Sequence, residues 1–167
     1  MPSLTWNDSL ANNLAPMDET HREFVDCYNA VASAAPEDFL PALDRLVAHT
    51  VAHFDLENGW MAAVDFPGCH RGEHDRVLAV MHDIRKRVEK GDLFLGRRLI
   101  EELPAWFENH VNGMDAALAF HLDSIGFDFE QGTLKPLAEG EQRGAGCACA
   151  SMNTPEAAST TAAATAA

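Results

Sequence analysis

Apolar positions recur along most of this chain at intervals of three and four, the period of a helix that packs on one face. From Met17 to about Ala32 the stripe is Met17, Phe24, Val25, Tyr28 and Val31, which predicts a first helix with His21 on the same face. Pro36 and Pro41 bracket a short break. A second stripe of Leu43, Leu46, Val47, Phe54, Trp60, Met61 and Val64 carries His53 and Glu57. The turn signal Asp65-Phe66-Pro67-Gly68 precedes a third stripe, Val77, Leu78, Met81, Ile84 and Val88, which starts from His70 and His74 and is closed by Gly91-Asp92. The fourth runs through Leu95, Leu99, Leu103, Trp106, Phe107, Val111, Met114 and Leu118 with His110 on it, and Pro104 is expected to kink it or split off its first turns. No β-type alternation appears.

Four amphipathic helices joined by short links predict an all-α fold, an antiparallel up-down-up-down four-helix bundle. Ser3 to Ala15 is polar with isolated Trp6, Leu10 and Leu14, so it is expected to pack on the bundle as an irregular N-terminal arm. Beyond about Gly132 the composition shifts to Gly, Ala, Ser and Thr, too poor in large apolar residues to order itself. The expected organisation is a bundle over residues 1–131 and a disordered C-terminal tail over 132–167.

Charge narrows the partners. With 26 acidic against 12 basic residues the chain carries a formal charge of -14, which repels nucleic acid and anionic membrane surfaces. No apolar run is long enough to span a bilayer, and the N-terminus lacks the basic start and apolar core of a signal peptide. The expected location is the cytoplasm, with Cys27, Cys69, Cys147 and Cys149 reduced. Arg85, Lys86, Arg87, Lys90, Arg97 and Arg98 crowd the turn between the third and fourth helices; a docking surface is one reading, favourable charge at a helix C-terminus the simpler one.

The chemistry lies on the inward faces. His53 with Glu57, and His70 with His74, are spaced i and i+4, so each pair sits side by side on one helix. His21, His110 and Asp115 bring the set to five imidazoles and two carboxylates, drawn from all four helices. A lone histidine on an apolar stripe is more often a core residue than a ligand, but seven ionisable groups in one small core would each cost several kcal/mol if unpaired. Bound metal compensates all of them together. Seven donors exceed the four of a structural zinc and suit two metals sharing bridging groups, while the donor types alone fit iron, copper, nickel or zinc. Asp115 lies five residues after His110, about 140° away on an ideal helix, so it reaches the site from the edge of the stripe or through a local π-type turn.

The segments WNDSLANNLAPMDETHREF, HFDLEN, HRGEH and WFENHVNGMD resemble the hemerythrin family, in particular its single-domain bacterial members, over roughly residues 6 to 125. The resemblance implies a bundle of the kind seen in myohemerythrin. It also implies two iron ions, one taking His70, His74 and His110, the other His21 and His53, with Glu57, Asp115 and a solvent-derived oxo or hydroxo group bridging them. Dioxygen would bind the iron with only two histidines and leave as it came. Asn58 stands where many relatives carry a second acid.

Around the open position a dry, apolar pocket is required, and Phe24, Trp60, Trp106, Phe107 and Val111 lie within about a turn of the ligands as candidate walls, though each is equally readable as core packing. His49, His82 and His121 match no ligand position, and helix periodicity turns Cys69 away from the site. Cys147 and Cys149 form a CxC pair in the tail, where an inert pair of small residues is the plainer reading than a soft-metal or redox pair. The function that follows is reversible dioxygen binding for storage, delivery or sensing, without enzymatic turnover. The alternative is a di-iron oxidoreductase, peroxidase-like or nitric-oxide-handling, that uses the same residues behind a more open pocket. No protein partner is specified.

Overall fold

The computed structural model describes residues 3–135. The chain forms α1 (Ala15–Ser33), α2 (Phe39–Ala63), α3 (Cys69–Glu89) and α4 (Leu93–His110); one π-helical turn, Val111–Asp115, then leads straight into α5 (Ala116–Ser124). Each of the first three helices packs on the next, and α4 closes back on α1, which gives the up-down-up-down bundle expected from the sequence. The apolar stripes face inward: Met17, Phe24, Tyr28, Leu43, Leu46, Phe54, Met81, Phe107, Val111 and Leu118 are all buried.

Two apolar clusters fill the interior. One holds Phe24, Tyr28, Phe39, Leu43, Phe54 and Phe107 among others, and the second holds Met17, Trp60, Met61, Leu118, Leu122 and Phe127. The polar side chains on the stripes fall between them. His21 lies between Met17 and Phe24, Glu57 between Phe54 and Trp60, and Asp115 between Val111 and Leu118, so the donors occupy the seam where one cluster gives way to the other.

Helix ends follow local chemistry. Pro16 stands in the first turn of α1, where its missing N–H costs nothing. Asp92 caps α4 by accepting the Leu95 N–H at 3.1 Å. Gly91, with φ of 98°, ends α3 in a conformation open mainly to glycine. The arm contains a 3-10 turn, Asp8–Leu10, and is tied down by Leu10, which is buried, and by paired hydrogen bonds between the Leu4 backbone and the Asn29 side chain.

Several details differ from the sequence reading. Pro41 lies inside the first turn of α2, so the break between the first two helices is the short link 34–38 and not the stretch between the prolines. Pro104 splits nothing off: α4 runs unbroken from Leu93 to His110. Beyond α5 a small antiparallel hairpin pairs Phe127 with Leu134 and Asp128 with Thr133, its turns entered through Gly126 and Gly132, both at φ of 64°. Strands of two residues show no alternation, which is why the pattern missed them, and the hairpin straddles residue 131, where the bundle was expected to end. The rest of the tail, including Cys147 and Cys149, lies outside the described residues.

Three of the six basic residues at the turn between α3 and α4 are paired with carboxylates of this chain. Arg85 pairs with Asp44 and Glu89, Arg87 with Asp83, and Arg98 with Glu101 and Glu102, while Arg97 donates to the Ala34 carbonyl and lies over the Phe39 ring. Lys86 and Arg87 stand in the last turn of α3, where positive charge meets the helix dipole favourably.

Candidate metal centre

The i, i+4 spacing in α2 and α3 sets His53 beside Glu57 and His70 beside His74, and all four are buried. His21 reaches the same place from α1 and His110 from the end of α4. Asp115 arrives through the π turn. The Ala116 N–H reaches back to the Val111 carbonyl, and this wider turn reduces the angular offset that five residues would have on an ideal α-helix. Asp115 is fully buried as a result.

The nitrogens and oxygens converge in two groups. His70 Nε2 and His74 Nε2 each lie 3.2 Å from His110 Nε2, and His74 Nε2 is 3.2 Å from Glu57 Oε2. Asp115 Oδ1 completes this group, 3.0 Å from His70 Nε2 and 3.1 Å from His110 Nε2. On the other side, Glu57 Oε1 is 3.0 Å from His53 Nε2 and 3.9 Å from His21 Nε2, and Asp115 Oδ2 is 3.0 Å from His21 Nε2. Each carboxylate thus turns one oxygen to the three-histidine half and the other to the two-histidine half. Two groups able to hold a metal ion share Glu57: one of Glu57, His70, His74, His110 and Asp115, the other of His21, His53 and Glu57.

A metal fits these donors. Imidazole nitrogens facing one another at 3.2 Å with no proton between them repel, whereas two donors about 2.1 Å from one ion and at right angles stand about 3.0 Å apart. Both oxygens of Asp115, Oε2 of Glu57 and both ring nitrogens of His21 are buried without a conventional hydrogen-bond partner. Such orphaned atoms are costly unless a cation takes their lone pairs.

The charges are arranged for the same end. Burial and the neighbouring Asp115 work against the Glu57 carboxylate, but the His53 and His74 imidazoles that face its two oxygens outweigh them and lower its pKa. Burial likewise opposes the Asp115 anion, and its contacts with His110, His21 and His70 hold its pKa well below the usual carboxylate range. Burial depresses the His74 pKa, which keeps an imidazole lone pair available. For His110, burial is overcome by Asp115, and its pKa rises.

The surroundings divide between the two halves. Phe107 meets the His21 ring edge-on at 5.6 Å and stacks on Phe24 at 4.3 Å, with Val111 fully buried nearby in sequence. Trp6 of the arm lies 6.4 Å from His21 and is covered by the Arg22 guanidinium. Trp106 stands by the three-histidine half, stacked on His110 at 4.8 Å, and Trp60 packs in the second cluster, edge-on to Phe129 at 5.3 Å. Three supporting contacts escaped the sequence reading, which noted Asn58 only as standing where many relatives carry an acid. Asn58 Oδ1 is 3.0 Å from His74 Nδ1, Phe54 stacks on His74 at 3.8 Å, and Glu73 accepts the Trp106 indole N–H at 2.8 Å. The Arg76 ion pair holds the Glu73 pKa down to about 2, against partial burial and with help from Trp106. Phe54 was visible on the stripe only as core, and the other two contacts depend on the register between helices.

The remaining histidines are not among the clustered donors, although the His49 ring lies 5.9 Å from that of His53. His49 lies against the Thr20 carbonyl through Nε2 at 3.0 Å and near Glu23, joining α2 to α1. His82 is exposed, and His121 lies tilted beside Phe66. Cys69 is exposed at the start of α3.

Fold and site together define a helical bundle that buries a His, Glu and Asp cluster able to hold metal. The hemerythrin HHE cation binding domain matches residues 12–119. A bacteriohemerythrin of Ralstonia nicotianae is 47% identical over 130 residues, which covers 77% of this chain and 95% of the relative. One from Stenotrophomonas maltophilia is 26% identical, with 79% and 92% covered, and one from Methylococcus capsulatus is 25% identical, with 69% and 93% covered. The chain belongs to the hemerythrin family. Among the described residues no helix is long and apolar enough to cross a membrane.

Proposed function

We propose that the chain binds dioxygen reversibly at a non-haem di-iron centre, to store, deliver or sense it, and that it does not turn over a substrate. His70, His74 and His110 would hold one iron, His21 and His53 the other, and Glu57 and Asp115 would serve both. The observation that carries this is the division of each carboxylate, with Glu57 Oε1 and Asp115 Oδ2 facing the His21 and His53 half and Glu57 Oε2 and Asp115 Oδ1 facing the other. A carboxylate serving a single ion has no reason to face two separate sets of imidazoles.

When bound, the iron pair supplies the reversible electron exchange with dioxygen. The protein supplies the conditions. Five imidazoles with two carboxylates place less negative charge at the centre than the carboxylate-rich sites of other helical bundles, which favours the ferrous state and release over oxidation. The half with one imidazole fewer would leave a position for dioxygen on its metal, and the buried Phe107, Phe24 and Val111 would keep water from it. Asn58 fixes the orientation of His74 through its Nδ1.

One feature favours the oxidoreductase reading. A pocket of about 140 Å³ lined by Glu73, Trp106, Asn109, His110 and Met114 opens beside a proposed ligand, where a reductant has access. An oxygen electrode separates the two functions. With excess reductant present, a carrier takes up one dioxygen per pair of irons and then stops, whereas continuous consumption makes the chain an oxidoreductase.

A further inference from the structure

The proposed imidazole ligands are not held alike. His74 is fixed at Nδ1 by Asn58 Oδ1 and across its face by Phe54, at an interplanar angle of 5°. His110 Nδ1, like that of His21, His53 and His70, is buried with no hydrogen-bond partner, and for His110 the π turn begins at the next residue. An imidazole ligand usually has its second nitrogen anchored, which sets the ring plane. For His110 that anchor is replaced by the Trp106 ring, stacked at 4.8 Å and 24°.

Trp106 packs on the edge of the core, edge-on to Phe54 at 6.2 Å, and its indole N–H is fixed by a hydrogen bond. It is half-buried and borders open space twice: the pocket of about 140 Å³ beside His110, and an apolar groove of about 200 Å³ between α3 and α4 lined by Val77, Val80, Met81, Leu99 and Leu103. Its indole N–H donates to Glu73 Oε1 at 2.8 Å. Arg76 grips the same carboxylate from the next turn of α3, donating from Nε to Oε2 at 2.8 Å and from Nη2 to Oε1 at 2.6 Å.

We propose that Glu73 is a positioning residue for the metal centre: through the Trp106 indole N–H it sets the plane of the His110 imidazole, with Arg76 holding Glu73 in place. This rests on His110 being a metal ligand. Glu73 touches none of the seven donors through a hydrogen bond; its influence passes through one ring and is lost when that ring loses its N–H.

The test uses the full-length, iron-loaded protein and follows iron transfer to a soluble chelator, with thermal melts of the metal-free forms alongside. Glu73→Ala should release iron at least about tenfold faster than the parent while the metal-free melting temperature stays within about 2 °C. Glu73→Gln, which still offers an oxygen to the indole, should recover most of the retention. In a Trp106→Phe background, which keeps a ring but has no N–H, Glu73→Ala should add nothing. Unchanged iron retention in Glu73→Ala, a Glu73→Gln protein as leaky as Glu73→Ala, or an equal further loss in the Trp106→Phe background would each overturn this role. A parent protein that holds no iron would instead overturn the reading of the metal centre itself, and the role of Glu73 with it.

Discussion

The hydroxyl of Tyr28 on α1 donates a 2.8 Å hydrogen bond to the backbone carbonyl of Ile100 on α4. Ile100 lies four residues before Pro104, which has no N–H to return to that carbonyl. A proline in mid-helix usually breaks or kinks it because an acceptor is orphaned; here a side chain from the neighbouring helix takes the acceptor up, and α4 continues to His110 without a break. The helix that carries His110, Asp115 and the aromatic residues around them therefore depends on a contact made 72 residues away.

Tyr28→Phe tests this. The ring still fills its place in the core, but a buried carbonyl loses its donor, at a cost of about 1 to 3 kcal/mol. Urea unfolding of the metal-free protein should show a lower midpoint at an unchanged slope. A midpoint equal to the parent's would mean that α4 tolerates Pro104 without help.

At Gly96, α4 packs tightly on Phe39 and Val88. A Cβ there would lie 2.6 Å from Phe39 Cε1 and 2.6 Å from Val88 Cγ2, and Phe39 is fully buried. Overpacking of about 1 to 3 kcal/mol exceeds the roughly 1 kcal/mol that alanine gains over glycine in a helix. Gly96→Ala should melt several degrees below the parent, and a protein of equal or higher melting temperature would show that the two side chains can move aside.

Glu73 gives a pH signature. Its folded pKa of about 2 lies below the ordinary 4.5, so its contribution to stability is fully present above pH 4.5 and is lost as pH falls toward 2. The charged groups that face it are Arg76 on its own helix and, more weakly, His110. For metal-free protein, the melting-temperature difference between the parent and Glu73→Gln stays within about 2 °C because the Arg76 partner is largely exposed, and it should be largest above about pH 5 and shrink steadily below it. A difference that is constant or grows on acidification contradicts the assigned ion pair.

The division of donors between two halves predicts selective loss of iron. His21→Ala removes one of two imidazoles from one half and should lower iron from about two to about one per chain, whereas His82→Ala, on an exposed face of α3, should leave it unchanged. Elemental analysis of purified protein decides it. Full iron in His21→Ala, or loss in His82→Ala, would mean that the donors are wrongly grouped.

Much of this was legible in the sequence because helices announce themselves locally. The stripes through Met17 to Val31 and Leu43 to Val64 gave the helices, and every one of the seven donors lies on or beside such a stripe, so their convergence followed from the bundle. The five-residue step from His110 to Asp115 left a π turn open as one explanation, and that turn is present. What escaped depends on the register between helices or on very short elements. Nothing near Pro104 in sequence points to Tyr28, nothing near Trp106 points to Glu73, and the pairing of Phe127 with Leu134 spans too few residues to show a period. Trp106 also illustrates the limit of counting turns: it is one turn from His110, yet which half of the centre it flanks depends on how α4 is rotated against α3.

The most direct measurement is the visible spectrum of iron-loaded, reduced protein taken first without oxygen, then with it, then after oxygen is withdrawn. A colourless reduced form should give way to an absorption band on exposure to oxygen, and the band should vanish when oxygen is removed and return on readmission, over repeated cycles. Two variants frame the result. Phe107→Ala opens the His21 side to water and should shorten the lifetime of the coloured form, whereas Glu89→Ala, at an exposed position, should not. A spectrum that moves once to a stable oxidised form and never returns, or shows no oxygen-dependent band with two irons bound, contradicts reversible dioxygen binding.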